Sequence, residues 1–208
     1  ALMGNSKNIL IINCDTDFSS LEPEKFVNLL NLIDHKNVIG GPKVVDSRNL
    51  LHASCFSFDP LSIALKPLRH VRKMGRLSKF IPKYKWFKNR IDRINYDSLS
   101  KNSISYVDWI SGCFMIINRE FFMNIGGFDD RFFLYFEDVD ICRSAKQMGS
   151  KVIFDPRVEV IHHAKYQSSS YKGILNSIIF NKTARYHICS WLKYMWKWKR
   201  DFLKLIYK

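Results

Sequence analysis

The sequence predicts an α/β fold in which a sheet is flanked by helices, and three features point to it. Residues 8–13 are mostly aliphatic and β-branched, which predicts a fully buried strand with parallel neighbours. A helical pattern follows through about residue 34, with Ser19 or Ser20 as its cap. Further short apolar runs predict strands at residues 38–39, 114–117, 151–154 and 158–163.

Two later helices have clear ends. Residues 119–125 are predicted to form a short helix closed by Gly126, and residues 139–148 a longer one capped by Gly149. Glycine commonly follows the last turn of a helix because it adopts a left-handed backbone without steric cost. Strands and helices therefore alternate along the chain, as in α/β folds.

The composition fits one globular domain and narrows its partners. At 208 residues with 47 % hydrophobic residues, the chain can bury a core. The formal net charge of +14 favours anionic partners, which are nucleic acid, an anionic membrane surface or phosphorylated small molecules. Nucleic acid is disfavoured because no helix-turn-helix, RNP or zinc-finger motif accompanies the charge. The five cysteines form no CxxC pair, which predicts a reducing, cytosolic setting.

Two aspartates directly follow the first predicted strand and are candidate metal ligands. Ligands of open α/β sheets bind beyond the carboxyl ends of the strands, and residues i and i+2 of an extended chain point the same way. Asp15 and Asp17 could therefore converge on one Mg²⁺ or Mn²⁺ ion that carries a diphosphate. His162, at the end of a later strand, could complete the site. The pair is also compatible with an Asx turn that caps the next helix.

Two segments are strongly basic. Residues 61–95 form an insertion with interleaved aromatic residues, either a solvated loop or a surface for phosphate or lipid headgroups. Residues 171–208 form a helical tail with a basic face and an apolar face, which we favour as an anionic membrane interface over a helix packed on the domain. The basic face contains Lys193, Lys197, Arg200, Lys204 and Lys208, and the apolar face Trp191, Met195, Trp198, Phe202 and Leu205. No apolar run approaches the ~18–20 residues that span a bilayer.

One stretch combines glycines, aromatic residues and acids, and the rest of the chain is organised around it. It starts with Trp109 and Gly112 and resumes over residues 126–140. Glu137 and Asp138 follow a block of aromatic residues, which indicates carboxylates at the rim of an apolar pocket, where burial tunes them for proton transfer. The alternative is a helix start, where the helix dipole favours acids.

Taken in order, these motifs resemble family 2 glycosyltransferases of the GT-A fold, in particular the bacterial rhamnosyltransferase-like members. The motifs are Asp15-Thr16-Asp17, Trp-x-Ser-Gly at 109–112, Gly-Gly-Phe-Asp at 126–129 and Phe-Phe-Leu-Tyr-Phe-Glu-Asp-Val-Asp at 132–140. The resemblance covers about residues 1–170 and is most specific over 126–140. It implies a Rossmann-like mixed sheet flanked by helices, with the amphipathic tail of residues 171–208 behind it.

The resemblance also implies an activity. Such an enzyme moves a sugar from a nucleotide-sugar donor to a lipid-linked or polysaccharide acceptor, with Mg²⁺ or Mn²⁺, at the cytoplasmic face of the plasma membrane. Its inverting transfer would use Asp138 as the base, with Glu137 beside it. The remaining assignments are Asp15, Asp17 and His162 (or His163) for the metal, and Trp109, Gly112 and Asp129 for the acceptor.

The sequence departs from this family at its beginning. The family's donor-binding motifs, a Thr-Tyr-Asn-like turn and a Val-Asp-Asn-like segment, have no counterpart in these 208 residues. We therefore expect the nucleotide-binding part to be missing, with open strand edges that favour self-association or pairing with an N-terminal half. A second hypothesis, from another class, is a catalytically inactive binding or assembly subunit that keeps only the acceptor half.

Overall fold

The structure, a computed structural model, describes residues 5–52, 54–58, 63, 102–163 and 182–206. The predicted basic insertion, apart from residue 63, and residues 171–181 of the predicted tail lie outside these ranges. The chain divides into two compact units. The first unit spans Ala1–Ser57, Asn95–Asp129 and Asp138–Ala164, and the second spans Phe58–Ile94, Asp130–Glu137 and Lys165–Lys208.

The first unit is built on a mixed sheet. Its strands are β1 (Asn8–Ile12), β2 (Thr16–Asp17), β3 (Asn37–Val45), β4 (Leu51–His52), β6 (Ser105–Val107), β8 (Phe114–Asn118) and β9 (Lys151–His162), while β5 (Cys55–Phe56) pairs separately with β7 (Trp109–Ile110). The order is β1-β8-β3-β9-β2, with β4 beside β3 and β6 beside β9. The β3–β9 pairing is parallel, and the other pairings among the described strands are antiparallel. The predicted α/β fold with a mixed sheet is confirmed.

Helix α1 (Pro23–Leu32) covers the centre of this sheet. Leu29, inside the helix, and Ile33, directly after it, are fully buried in one cluster with Phe114 and Ile116 of β8. The predicted serine cap is wrong, because Glu22 precedes the first turn and makes no side-chain cap. Proline at the first helical position starts the helix instead, since its fixed φ already matches helical geometry.

Strand β1 differs from its prediction. It was expected to be fully buried among parallel neighbours, but it pairs antiparallel with β8 and lies at one end of the described sheet. Leu10 and Ile12 are exposed, although their partners Ile116 and Phe114 are buried beneath α1. An aliphatic run predicts a strand, but it contains no signal for the direction or position of that strand in the sheet.

Helices α2 (Arg119–Asn124) and α3 (Glu137–Gln147) end as predicted. After α3, Gly149 has a φ of 75°, its N–H donates to the carbonyl of Lys146, and the N–H of Ser150 donates to that of Ala145. These two hydrogen bonds form a Schellman cap, in which the left-handed residue is usually glycine.

The second unit contains α4 (Lys182–Lys197) and α5 (Lys199–Ile206). Tyr194 is fully buried and packs its ring against Phe136, Trp198 and Phe202. Trp198 and Phe202 of the predicted apolar face are only 6 % and 5 % exposed and pack inside the unit, which disfavours the membrane role predicted for Trp198. No helix among the described residues is both long enough and apolar enough to cross a membrane.

The other tail positions are placed as follows. Trp191 is partly buried, and its Nε1–H donates to the carbonyl of Ile63, 3.1 Å away. Lys193 and Arg200 are exposed, and Lys197 is partly exposed. The side chain of Lys204 lies outside the described residues.

Candidate functional site

The sheet brings together the ends of several strands. β1 ends at Ile12, opposite Phe114, where the antiparallel β8 begins. β9 ends at His162, which lies opposite Thr16 in the pairing of β2 with β9. Residues 13–17, 112–113 and 162–163 therefore meet at one edge of the sheet. This is the edge where α/β sheets bind ligands.

Each of the two aspartates has a histidine partner at this edge. Asp15 Oδ1 lies 3.0 Å from His162 Nε2, and Asn13 Nδ2 lies 3.2 Å from the same nitrogen. Asp17 Oδ2 lies 3.7 Å from His163 Nε2. Both histidines considered for the metal site are therefore present, but they contact different aspartates.

The carboxylate of Asp17 is also part of a turn. Its Oδ1 accepts a hydrogen bond from the backbone N–H of Ser19 at 2.8 Å, which makes the Asx turn that the sequence left open as an alternative. This backbone hydrogen bond is the main cause that lowers the pKa of Asp17 below its usual value. The carboxylate of Asp15 instead contacts the imidazole of His162.

The predicted trio of Asp15, Asp17 and His162 is not assembled as one metal cluster. The described residues contain no group of three or more His, Cys, Asp or Glu side chains arranged to hold a metal ion. Asp15 and His162 are hydrogen-bonded to each other at 3.0 Å, and a carboxylate and an imidazole are residue types that can share a divalent cation once this hydrogen bond is replaced. Mg²⁺ is often bound by one or two protein ligands plus substrate phosphates and water.

Asp138, the predicted base, lies in the first turn of α3 and is held by backbone groups. Its Oδ2 accepts from the N–H of Gly112 at 3.0 Å, and its Oδ1 accepts from the N–H of Val139 at 2.8 Å. A Cβ on Gly112 would lie 3.4 Å from the Cβ of Asp138, so the missing side chain lets the backbone approach the carboxylate. Gly112 was predicted to line the acceptor site, and in the structure it positions the candidate base.

The next residue joins this carboxylate to the aspartate–histidine edge. The carbonyl of Cys113 accepts from the N–H of Asn13 at 3.0 Å and from Thr16 Oγ1 at 3.3 Å. Gly112 and Cys113 therefore connect Asp138 to the segment that carries Asp15. Asn13, Thr16 and Cys113 were not among the predicted site residues, because their contribution comes from backbone contacts about 100 residues apart, which no local pattern encodes.

The other predicted site residues are placed less favourably. Trp109 is only 5 % exposed, and its ring stacks on Phe56 with 3.9 Å between centroids. Such burial leaves little of the indole accessible to a sugar, which disfavours the acceptor role predicted for Trp109. Asp129 is half-buried in the loop after Gly127, and Glu137 is half-buried at the start of α3.

The backbone that leads into α3 is strained. Tyr135 and Phe136 have φ values of 67° and 70°, a left-handed conformation that residues with a side chain seldom adopt. Each such residue costs about 1–3 kcal/mol, and strain of this kind clusters at functional sites. The buried ring of Phe136, 5.2 Å from that of Tyr194, offsets part of this cost. The strained pair ends directly before the two candidate acids of α3.

Two thiols near Asp138 lead to a prediction. Burial raises the pKa of Cys113 to about 11, and burial likewise raises that of Cys142, with the charge of Asp138 contributing at both. We expect iodoacetamide at pH 8 to alkylate the exposed Cys14 and Cys189 at least ~100-fold faster than the buried Cys113 and Cys142, because only the thiolate reacts. Mass spectrometry of peptides over a time course measures this. Equal rates for Cys113 and Cys189 in the folded protein would contradict it.

A cavity of about 660 Å³ lies near the other end of β1 and β8. Its lining includes Lys7, Asp34, His35, Asn118 and Arg119. None of the predicted site residues lines this cavity. The candidate site is therefore the group of strand ends that contains Asp15, together with the neighbouring Asp138.

Comparison with known proteins gives the chain its relatives. It is 26 % identical over 197 residues to rhamnosyltransferase WbbL of Escherichia coli K12, a match that covers 92 % of this chain and 69 % of that protein. The chain is therefore similar to a rhamnosyltransferase over most of its length. The resemblance predicted from the sequence motifs is thereby confirmed, and it supports glycosyltransferase chemistry. No protein-family model matches the chain.

A second relative matches the chain over a shorter stretch. The N-acetylglucosaminyl-diphospho-decaprenol L-rhamnosyltransferase of Mycobacterium tuberculosis is 37 % identical over 62 residues, which are 30 % of this chain and 20 % of that protein. The chain thus spans about two thirds of the length of the first relative, and its match to the second relative covers a fifth of that protein.

Proposed function

We propose that the chain acts in the transfer of L-rhamnose from a nucleotide-sugar donor to a lipid-linked acceptor, in the synthesis of a cell-surface polysaccharide. The names of its relatives support the sugar and the class of acceptor, since the mycobacterial relative is named for a decaprenol-linked substrate. The observation that carries the proposal is that Gly112 and Cys113 join the carboxylate of Asp138 to the segment that contains Asp15.

In the proposed reaction, Asp138 removes the proton from the attacking hydroxyl of the acceptor. The hydroxyl oxygen forms a bond to the anomeric carbon of the donor, and the bond from that carbon to the diphosphate breaks. A single displacement of this kind inverts the anomeric centre. The hydrogen bond from Gly112 orients Asp138, while at least one lone pair of each carboxylate oxygen remains for the acceptor.

Asp15 and His162 are the residues that would hold a divalent cation. Mg²⁺ or Mn²⁺ bound there would act as a Lewis acid and offset the charge that develops on the leaving diphosphate. Asn13 Nδ2 lies 3.2 Å from the same Nε2 of His162, so a cation bound to that nitrogen would displace this contact. The transfer would take place at the cytoplasmic face of the plasma membrane, where a lipid-linked acceptor is embedded.

The first test is donor binding by the 208-residue chain, measured by calorimetry with Mn²⁺ and a panel of nucleoside diphosphates. We expect metal-dependent binding that Asp15→Ala weakens at least ~10-fold, because losing even an outer-shell partner of a metal ligand typically costs 10–100-fold in metal affinity. Asp34→Ala is the matched control. Asp34 is an aspartate at the other end of the sheet, where its carboxylate accepts the backbone N–H groups of Lys36 and Asn37, each at 2.7 Å.

Each outcome of this test has a clear meaning. If Asp15→Ala and Asp34→Ala weaken binding equally, the assigned cation site is wrong. If the folded chain binds no nucleotide but does bind a sugar-diphospho-polyprenol, the alternative of a binding subunit that keeps only the acceptor half is supported. The transfer itself is measured with nucleotide-activated rhamnose and a short-chain acceptor of that class.

A further inference from the structure

Helix α4 has an outer face made of exposed residues. Its members recur every three or four positions, as residues on one side of a helix do, and they are Arg185, Tyr186, Cys189, Leu192, Lys193 and Trp196. Ala184, Ser190 and Tyr194 are buried on the opposite side. The outer face is therefore a different surface from the apolar stripe that the sequence predicted for a membrane, since that stripe contains the buried Trp198.

The outer face exposes large apolar groups. Trp196 is 71 % exposed and Leu192 is 54 % exposed. The ring of Tyr186 lies 4.8 Å from that of Phe133, which is 75 % exposed and belongs to the same unit. Contiguous exposed apolar surface on a protein marks a binding surface more often than scattered single residues do.

Cations surround these apolar groups. Lys199, at the start of α5, places its Nζ 3.9 Å from the centre of the Trp196 ring. Arg185, Lys193 and Arg200 are also exposed, and Asp201 is the one acid in the sequence of residues 182–206. A surface that combines exposed Trp and Leu with a nearly uniform positive charge complements a layer with anionic headgroups above an apolar interior.

We propose that the outer face of α4 binds an anionic phospholipid surface, with Trp196 and Leu192 entering the interface and Lys193, Lys199 and Arg200 contacting headgroup phosphates. A nucleic acid would use the cations but would leave Leu192 without an apolar environment, so the lipid surface fits more of the observed side chains. The proposal deepens the proposed function and rests on it for one point, that the acceptor is linked to a lipid.

The test is sedimentation of the 208-residue chain with vesicles of phosphatidylglycerol and phosphatidylcholine, and with phosphatidylcholine alone. We expect binding to the anionic vesicles, with a partition coefficient that falls at least ~10-fold when Leu192 and Trp196 are both replaced by alanine. Tyr106→Ala is the matched control, because Tyr106 is an exposed aromatic residue with Lys151 Nζ 4.2 Å from its ring centre, in the other unit. It should change the partition coefficient by less than about twofold.

Two variants that each remove one positive charge distinguish binding through the outer face of α4 from a general effect of net charge. Lys199→Gln should weaken binding to the anionic vesicles about fivefold, the effect of one cation close to the surface. Lys151→Gln removes the same charge beside Tyr106 and should have a much smaller effect. Equal losses in these two variants, or a folded chain that does not sediment with anionic vesicles, would overturn the proposal.

Vesicle binding and sugar transfer are measured independently, so the two proposals fail separately. Asp138→Asn leaves every residue of the outer face in place and should sediment like the unmodified chain. Thermal unfolding of each variant verifies that it is folded, which is expected because substitutions at exposed positions seldom change stability much.

Discussion

Replacing Asp138 by asparagine is expected to slow sugar transfer by about 10²–10⁴-fold, the usual contribution of a general base. The amide has the size and shape of the carboxylate, and its single oxygen can still accept a hydrogen bond from the N–H of Gly112. Its NH₂ group replaces the oxygen that accepts from the N–H of Val139, so that one hydrogen bond is lost. The amide does not take up the proton of the acceptor hydroxyl. The measurement is the initial rate of rhamnosyl transfer at saturating donor, with circular dichroism to verify the fold.

Asp108→Asn provides the control for this prediction. Asp108 lies just before β7 and pairs with Lys146 of α3, so the variant also removes a carboxylate that contacts this helix. We expect its transfer rate to stay within about threefold of the unmodified rate, because surface ion pairs contribute little. If Asp138→Asn retains full turnover, the assignment of the base is wrong, whatever the result for Asp108.

Replacing Phe114 by alanine is expected to cost about 3–5 kcal/mol of the free energy of unfolding, the largest effect that we expect on stability. Phe114 is 1 % exposed, and its ring makes edge contacts with Phe18 at 5.9 Å and Phe26 at 6.1 Å. Removing the ring leaves a cavity between the sheet and α1, and it withdraws support from Cys113, the preceding residue. Urea unfolding followed by fluorescence measures the change.

Phe133→Ala is the matched control for Phe114→Ala. The chemical change is the same, but Phe133 is largely exposed, so its removal should alter the free energy of unfolding by about 0.5 kcal/mol or less. A cost for Phe114→Ala below ~1.5 kcal/mol lies in the range of well-tolerated core substitutions. Such a value would show that Phe114 does not hold together the buried cluster between α1 and the sheet.

Local signals in the sequence were enough to predict much of the fold. Residues 114–117 are buried at each position, as their continuous apolar character predicted. The ends of α2 and α3 were predicted from glycines, whose left-handed backbone is a local property. Such features depend on residues a few positions apart, and sequence patterns record these distances well.

Features that depend on distant segments could not be predicted. The hydrogen bond between Gly112 and Asp138 joins residues 26 positions apart. The sequence motif assigned Gly112 only to the acceptor site and gave no sign of this contact. The tail shows the same limit in another form. Aromatic residues occur on both sides of the tail helices. Helical periodicity alone therefore did not reveal that Trp198, directly after α4, is buried while Trp196 is exposed.

The position of β1 affects how the protein should be handled in solution. An uncharged strand at the rim of the described sheet, with Leu10 and Ile12 exposed, can add a strand from a second molecule. Such pairing increases with protein concentration, so a sample at calorimetric concentration and one at enzymatic concentration can contain different species. Light scattering across the working range of each assay belongs with every affinity and rate obtained for this chain.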